Sequence, residues 1–260
     1  MLEAPLDLAG ARILLTNDDG IHAPGLEALE RVARGLSDDV WVVAPETEQS
    51  ATSHSLTLRR PLRIRHLGPQ RCTVDGTPTD CVLIAIKKVM ADRPPDLVLS
   101  GINQGANVGE DVTYSGTVAA AMEAALLGYP AIALSLSRYG DHEYRWAAAE
   151  HHAGDVIRRL TGLTWPRDVL MNVNFPDVPA EGVRGVRVCR QGRRVADTSV
   201  IDGTDPSGRP YVWVGNYMSD ETSQSGSDLA AMAEEAISVT PLHLDLTHEP
   251  TLTRLAEAFG

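Results

Sequence analysis

The sequence is poor in cysteine, phenylalanine and basic residues. Among 260 residues it has three cysteines, two phenylalanines, and 23 lysines and arginines against 35 aspartates and glutamates. An odd number of cysteines without a C-x-x-C pair indicates reduced thiols in a cytoplasmic protein, and we expect Cys72, Cys81 and Cys189 to be small core residues. The formal net charge of −12 argues against a nucleic-acid polymer as a partner.

Long apolar runs are also missing. No run approaches the ~18 residues that a membrane helix requires, and the acidic start MLEAPLDLAG (1–10) lacks the basic region of a signal peptide. We therefore expect a cytoplasmic protein with no membrane partner. The patterns G-x-x-x-x-G-K-[ST], G-x-S-x-G and H-E-x-x-H are absent as well, which excludes the P-loop, α/β-hydrolase and zincin interpretations.

Short apolar runs rich in Val, Ile and Leu predict buried strands. They are RILLTN (12–17), VWVVAP (40–45), DLVLSGIN (96–103), AIALSLS (131–137) and VLMNVNFP (169–176). Helical patterns lie between them, at 24–36, 77–90, 115–130 and 144–160. The alternation of strand and helix predicts an α/β fold with a doubly wound, mostly parallel sheet.

The pattern changes beyond about residue 185. Two strand-like stretches, VRGVRVCR (183–190) and RPYVWVGNY (209–217), flank a polar, turn-rich stretch that contains TDPSG. The patterns that follow predict a short helix, a strand and a final helix, at 227–236, 237–246 and 250–258.

Two basic stretches stand out. LRRPLRIR (58–65) reads as a solvated strand face, and CRQGRR (189–194) as a surface for an anionic substrate or a partner subunit.

No composition shift marks a clean boundary along the chain. We therefore expect one α/β domain over residues 1–260, with a core of about 11–188 and 228–258. A β-hairpin arm of about 189–227 would protrude from this core.

Oxygen-bearing side chains follow three of the predicted strands. Asp18 and Asp19 come directly after the first strand, Ser50 lies in the loop after the second, and Asn103 ends the next long strand. Ligands of open α/β sheets bind outside the carboxyl ends of the strands. Carboxylate, hydroxyl and amide oxygens suit a hard cation such as Mg²⁺ or Mn²⁺. Asp-Asp-Gly is also an ordinary turn sequence, so a solvated acidic turn is the alternative.

The stretch YSGTVAAA predicts the start of a helix near the same edge of the sheet. The first N–H groups of that helix, around Ser115, Gly116 and Thr117, have no partners within the helix and can bind an anion. Ser115 is equally suited to cap the helix, and the two roles are compatible. His22 and His54 lie in the strand-end loops, where proton transfer is one option.

Five motifs together resemble the SurE family of survival-protein 5′-nucleotidases. They are ILLTNDDGIHAPG, VVAPETEQSATSHSLT, DGTPTDCV, DLVLSGINQGANVGEDVTYSGTVAAAMEA and SVTPLHLDLT, in order from about residue 12 to 247. The resemblance implies a Rossmann-like core with an exchanged C-terminal arm, in a homodimer or a dimer of dimers. RPYVWVG and TDPSG resemble the hairpin that forms the family's dimer.

The resemblance also implies a metal-dependent phosphatase and assigns its site residues. The family's metal-ligand positions fall on Asp18, Asp19, Ser50 and Asn103, which implies one Mg²⁺ or Mn²⁺ per subunit. Its phosphate-side loop falls on Asn107, Ser115, Gly116 and Thr117.

These residues predict a phosphomonoesterase that hydrolyses nucleoside 5′-monophosphates to nucleoside and phosphate. Asp18 and Asp19 are the predicted catalytic residues, which hold the metal while one of them orients the attacking water. An aspartyl-phosphate route is a rival mechanism. A metal-dependent nucleotide-sugar transferase and a non-catalytic nucleotide sensor are rival functions. The base preference and the cleavage of 3′-monophosphates or short polyphosphate stay open.

Overall fold

A computed structural model describes residues 5–193, 195–220 and 224–260. The strands are β1 (Arg12–Thr16), β2 (Asp39–Pro45), β3 (Ile64–Gly68), β4 (Arg71–Val74), β5 (Leu97–Gln104), β6 (Ala131–Leu136), β7 (Val169–Phe175), β8 (Val186–Val188), β9 (Val195–Thr204), β10 (Pro210–Asp220) and β11 (Ile237–His243). The α-helices are α1 (Pro24–Arg34), α2 (Pro78–Ile84), α3 (Gly116–Leu126), α4 (Trp146–Thr161), α5 (Asp228–Ala233) and α6 (Glu249–Phe259). Arg194 of the basic stretch and residues 221–223 of the predicted arm lie outside the described ranges.

Nine of these strands form one sheet, in the order β3-β4-β2-β1-β5-β6-β7-β11-β8. Neighbours are parallel from β4 to β7, whereas β3 and β11 run antiparallel to β4 and β7. The predicted mostly parallel sheet is therefore confirmed. From β1 the chain builds one half of the sheet through β2 and the other half through β5. The strand order thus reverses between β1 and β5, which is where open α/β sheets bind their ligands.

Helices cover both faces of the sheet, because successive side chains of a strand point to opposite sides. In β1, Ile13 and Leu15 pack in a core cluster that includes residues of α1 and α4. Leu14 packs on the other side, with residues of α2 and α3. Strands covered on both faces, such as β1 and β6, are consequently apolar along most of their length, which explains why the sequence predicts them. All three cysteines are free and buried, as predicted.

The helix starts and stops follow the signals in the sequence. Ser115 caps α3 by accepting a hydrogen bond from the Val118 amide at 3.0 Å, and Gly128 follows the helix with a φ of +89°. Thr77 and Asp80 form a reciprocal capping box at the start of α2. The helix predicted over 77–90 is α-helical only to Ile84 and continues as a single π-helical turn to Val89.

The hairpin arm differs in one respect from the sequence prediction. The strand within VRGVRVCR is β8, which pairs with β11 in the main sheet. The first strand of the hairpin is β9, which pairs antiparallel with β10. The TDPSG stretch makes the turn between them, where Asp205 Oδ1 accepts hydrogen bonds from the amides of Ser207 and Arg209.

The basic stretch 58–65 is a strand only at its end, where β3 begins at Ile64. Residues 58–63 form no strand, so the prediction of a strand face was wrong for most of the stretch, whereas Leu58, which is 84% exposed, agrees with the predicted solvation. Pro61 removes a backbone donor from this segment, which disfavours an earlier start of the strand. No helix in the described part of the chain is long and apolar enough to span a membrane.

Candidate metal and phosphate site

An open cavity of about 540 Å³ adjoins the carboxyl ends of β1 and β5. Five of the eight predicted site residues line it, namely Asp18, Ser50, Asn103, Asn107 and Ser115. The other three contact residues in its wall: Asp19 bonds to Gln104, and Gly116 and Thr117 adjoin Asp18. The fold therefore brings the predicted residues together at the point where the strand order reverses.

Asp18 lies against the first turn of α3 and is buried. The Thr117 hydroxyl donates a hydrogen bond to Asp18 Oδ1. Burial raises the pKa of Asp18, and hydrogen bonds from Thr117 and from the Gly116 backbone lower it by less. A Cβ atom at Gly116 would lie 2.7 Å from the Cβ of Asp18. Gly116 thus allows the helix to begin directly on this carboxylate.

Asp19 is held by the end of β5. The Gln104 amide donates to Asp19 Oδ2 at 3.1 Å. Burial, followed by the charge of Asp18, raises the pKa of Asp19 to about 6, although the Gln104 bond opposes the shift. The two carboxylates therefore share a partly dry site in which their negative charges repel each other.

The loop after β2 folds back over the end of β1. The Gln49 amide donates to the Asp18 carbonyl oxygen at 2.7 Å, and the Ser53 amide donates to the Tyr114 carbonyl oxygen at 3.2 Å. These bonds place Ser50 at the cavity, where its hydroxyl donates to Glu48 Oε1 at 2.8 Å. Ser50 reaches the site through its loop rather than through the strand.

Two asparagines follow β5 with different surroundings. Asn103 bonds only locally among the contacts described, as its Nδ2 donates to the Gly105 carbonyl oxygen at 2.9 Å. Asn107 is buried, and its Nδ2 donates to Ser135 Oγ at 2.8 Å. Its amide donates to Asn174 Oδ1 at 2.7 Å. Asn107 therefore ties its loop to β6 and β7 in addition to lining the cavity.

Sequence reasoning missed several residues of the site. Asn172 and Asn174 bond to the Asn107 backbone, and two asparagines on an otherwise apolar strand were the available signal. Glu123, a buried carboxyl within the alanine-rich helix α3, lies outside the cavity lining; its Oε2 is 2.9 Å from Nε2 of His54, which the sequence suggested for proton transfer and which lines a neighbouring cavity. A single acidic residue in such a helix was again the signal. His22 is exposed and stands outside the cavity lining.

The donor set suits a hard divalent cation. Within the described ranges, no group of three or more His, Cys, Asp and Glu side chains could hold a metal. A cation at this edge would instead use two carboxylates with neutral hydroxyl and amide oxygens, which is the chemistry of magnesium sites. Asn17 Oδ1, beside the pair, is buried without a hydrogen-bond partner. A cation would relieve the repulsion between Asp18 and Asp19.

Comparison with known proteins decides the family. Residues 13–198 match the family model described as Survival protein SurE. The chain belongs to the SurE family. It is 56% identical over 253 residues to the 5′-nucleotidase SurE of Paramagnetospirillum magneticum, which covers 97% of each chain. It is 55% identical over 257 residues to that of Rhodospirillum rubrum, which covers 97% of this chain and 98% of the relative.

A solved SurE structure has the same fold. The crystal structure of the SurE protein from Aquifex aeolicus matches with a TM-score of 0.83 at 38% identity, over 96% of this chain and all of that one. The Rossmann-like α/β fold and the SurE membership implied by the motifs are confirmed.

Proposed function

We propose that this chain is a divalent-metal-dependent 5′-nucleotidase that hydrolyses nucleoside 5′-monophosphates to nucleoside and phosphate. Relatives named 5′-nucleotidase SurE share more than half of its residues over nearly the whole chain. The observation that carries the proposal is the cavity, where the Asp18 carboxylate lies against the first turn of α3. An acidic group and a helix N-terminus at one point suit a metal and a phosphate together.

In this proposal Asp18, Asp19, Ser50 and Asn103 hold one Mg²⁺ or Mn²⁺ per subunit. Such an ion, when bound, polarises a phosphoryl oxygen and neutralises charge that develops during the displacement. Thr117 and Gln104 fix one oxygen each of Asp18 and Asp19, so the carboxylates are oriented before substrate arrives. Asp19 Oδ1 is then the atom that orients the attacking water.

The phosphate lies at the start of α3. Ser115 lines the cavity, and its oxygen accepts from the Val118 amide, which leaves its O–H to donate to a phosphoryl oxygen. The backbone amides of the first turn add positive partial charge. Asn107 holds the preceding loop in place through Ser135 and Asn174.

The surroundings of Asp18 favour a metal-binding role over an aspartyl-phosphate route. An attacking carboxylate needs a free oxygen facing the phosphorus. Asp18 is only 4% exposed, and one oxygen accepts the Thr117 hydroxyl bond.

We also propose a cytoplasmic location and a homodimer or dimer of dimers built through the β9–β10 arm, in one domain over residues 1–260. A two-stranded hairpin is marginally stable alone. Among the hairpin side chains that the structure describes, the exposed apolar ones include Val200, Ile201, Tyr211, Val212, Trp213 and Val214. A second subunit would cover them.

Phosphate release from a panel of nucleotides tests the function. We expect phosphate release from nucleoside 5′-monophosphates with Mg²⁺ or Mn²⁺ and no release with a chelator. The panel also includes 3′-monophosphates and short polyphosphate, whose cleavage the sequence leaves open. Transfer from a nucleotide-sugar donor would favour a transferase. Nucleotide binding without phosphate release would indicate a sensor.

A further inference from the structure

Asp228 is a fully buried carboxylate on which three backbone amides converge. Its Oδ1 accepts hydrogen bonds from the amides of Gly192 and Leu229, both at 2.8 Å. Its Oδ2 accepts from the amide of Gly109 at 3.0 Å, across 119 residues of sequence. The carboxylate therefore joins the base of the arm, the start of α5 and the loop that follows β5.

Gly109 is held by the C-terminal segment at both of its backbone groups. Asp228 takes its N–H, and Gln191 Nε2 donates to its carbonyl oxygen at 2.7 Å. Gly109 has a φ of +58° and begins the short 3₁₀ helix that ends at Thr113. Tyr114 and Ser115, which follow directly, line the cavity.

A carboxylate is the side chain that this junction requires. Both of its oxygens are pure acceptors, so it can receive three N–H groups at once. An asparagine would direct an N–H group of its own at one of the backbone amides. Hydrogen bonds to an ionised acceptor are also roughly twice as strong as neutral ones. The junction therefore depends on charge as well as on shape.

We propose that Asp228, assisted by Gln191, is a positioning residue for the substrate side of the cavity. It fixes Gly109 and, through the 3₁₀ helix, sets where Ser115 presents its hydroxyl and the first turn of α3. We call the Asp228–Gln191–Gly109 junction the clamp. None of the proposed metal ligands makes a hydrogen bond to Asp228 or Gln191 among the contacts described, and Asp18 is linked to the clamp only indirectly, through Thr117 of α3. The clamp thus acts more strongly on nucleotide binding than on metal binding. This inference rests on the proposed nucleotidase function.

The test compares Asp228→Asn and Gln191→Ala with the wild-type protein. For Asp228→Asn we expect KM for a nucleoside monophosphate to rise roughly tenfold, which is the lower end of the range for the loss of one hydrogen bond to a charged group. We expect a smaller rise for Gln191→Ala. The Mn²⁺ dissociation constant from calorimetry should change less than KM in both variants, and kcat should also change less than KM. Hydrogen exchange in a peptide covering 105–115 should be faster in both variants.

A destabilised control separates positioning from general loss of stability. Ile132→Val removes a methyl group from the buried centre of β6, away from the clamp, and should leave KM unchanged. The proposal is overturned if KM and exchange match the wild type in Asp228→Asn, if metal affinity falls by as large a factor as KM rises, or if Ile132→Val raises KM as well. Should Asp228→Asn not fold, unchanged KM and exchange in Gln191→Ala overturn it. A wild-type protein that releases no phosphate contradicts the proposed function instead, and the exchange measurement still decides the clamp.

Discussion

The amide of Gln104 donates to Oδ2 of Asp19 at 3.1 Å, which joins the end of β5 to the turn after β1. The bond crosses the point where the strand order of the sheet reverses. It orients a carboxyl group whose pKa is raised by burial and by the neighbouring Asp18. Asp18 and Asp19 are therefore partly buried and hydrogen-bonded at the edge of the sheet, whereas the side chains of a solvated turn would face water.

The metal-free protein should lose stability as the pH rises from about 4 to about 6. The pKa of Asp19 is about 6 in the folded protein against a reference value of 3.8, so the folded state binds more protons in that window. Stability falls with pH wherever the folded state binds more protons. Asp19→Asn cannot titrate, so its stability relative to the wild type should increase across this window. Urea unfolding in the presence of a chelator between pH 4 and 7 measures the free energy of unfolding of both proteins. Equal pH dependence of that free energy in the wild type and in Asp19→Asn would contradict the prediction.

Thr117→Val should weaken the site by removing the hydroxyl that donates to Asp18. Leaving a buried hydrogen-bond acceptor without its donor costs about 1–3 kcal/mol, so the free energy of unfolding should fall by about that amount. Phosphate release should fall too. Thr117→Ser keeps the donor and should stay near the wild type in both assays. Full stability and activity in Thr117→Val would contradict the prediction, and equal losses in the two variants would mean that the methyl group matters as much as the hydroxyl.

Gly116→Ala should reduce phosphate release roughly 10²-fold, because a shifted start of α3 misplaces its backbone donors. The loss of one donor to a developing anion has an effect of this size. The new Cβ would lie 2.7 Å from Asp18 Cβ and 2.9 Å from its Oδ2, so the start of α3 must shift. Gly154→Ala in α4 is the matched control, because its Cβ would meet only the flexible end of Arg158 at 3.5 Å. That control should retain activity. If Gly116→Ala is fully active, the start of α3 is not part of the catalytic site.

The central strands could be predicted from the sequence, whereas β4 and β9 could not. Strands covered on both faces are continuous apolar runs, and β1 has this pattern. β4 has only four residues, too few to show a strand pattern, and β9 contains Asp197, Asp202 and Gly203, which are residue types depleted in strands. The partner strands decide these two elements, since β9 pairs along β10 and β4 pairs with β2 and β3.

The sequence also predicted that the candidate site residues lie close together, because the carboxyl ends of parallel strands meet at the same edge of a sheet. The residues that support the site could not be predicted. Asp228 reaches Gly109 across 119 residues, and His54 reaches Glu123 across 69. Such pairs depend on how loops pack against distant parts of the chain. Loops have no periodic residue pattern from which a single sequence could predict this packing.

Trp213→Ser should weaken subunit association. The Trp213 side chain is 65% exposed on the arm and lies edge-on to Tyr211, with ring centroids 6.4 Å apart. Exposed aromatic groups of this kind anchor interfaces. Light scattering across a dilution series should show a smaller mass for the variant at low concentration. Tyr139→Ser, an exposed aromatic outside the arm, should keep the native mass, and an unchanged Trp213→Ser would argue against the arm as the interface.

Calorimetry of Mn²⁺ binding to the wild-type protein and to the Asp18→Asn/Asp19→Asn double variant distinguishes a metal site from an acidic turn. We predict one Mn²⁺ per subunit in the wild type, with a higher melting temperature when the ion is bound. The double variant should bind roughly 100-fold more weakly or worse, because the loss of outer partners of a metal site alone costs about 10–100-fold. Its unfolding should remain cooperative, which confirms that it is folded. Equal Mn²⁺ affinity in a folded double variant would contradict the account and leave the acidic pair as a turn.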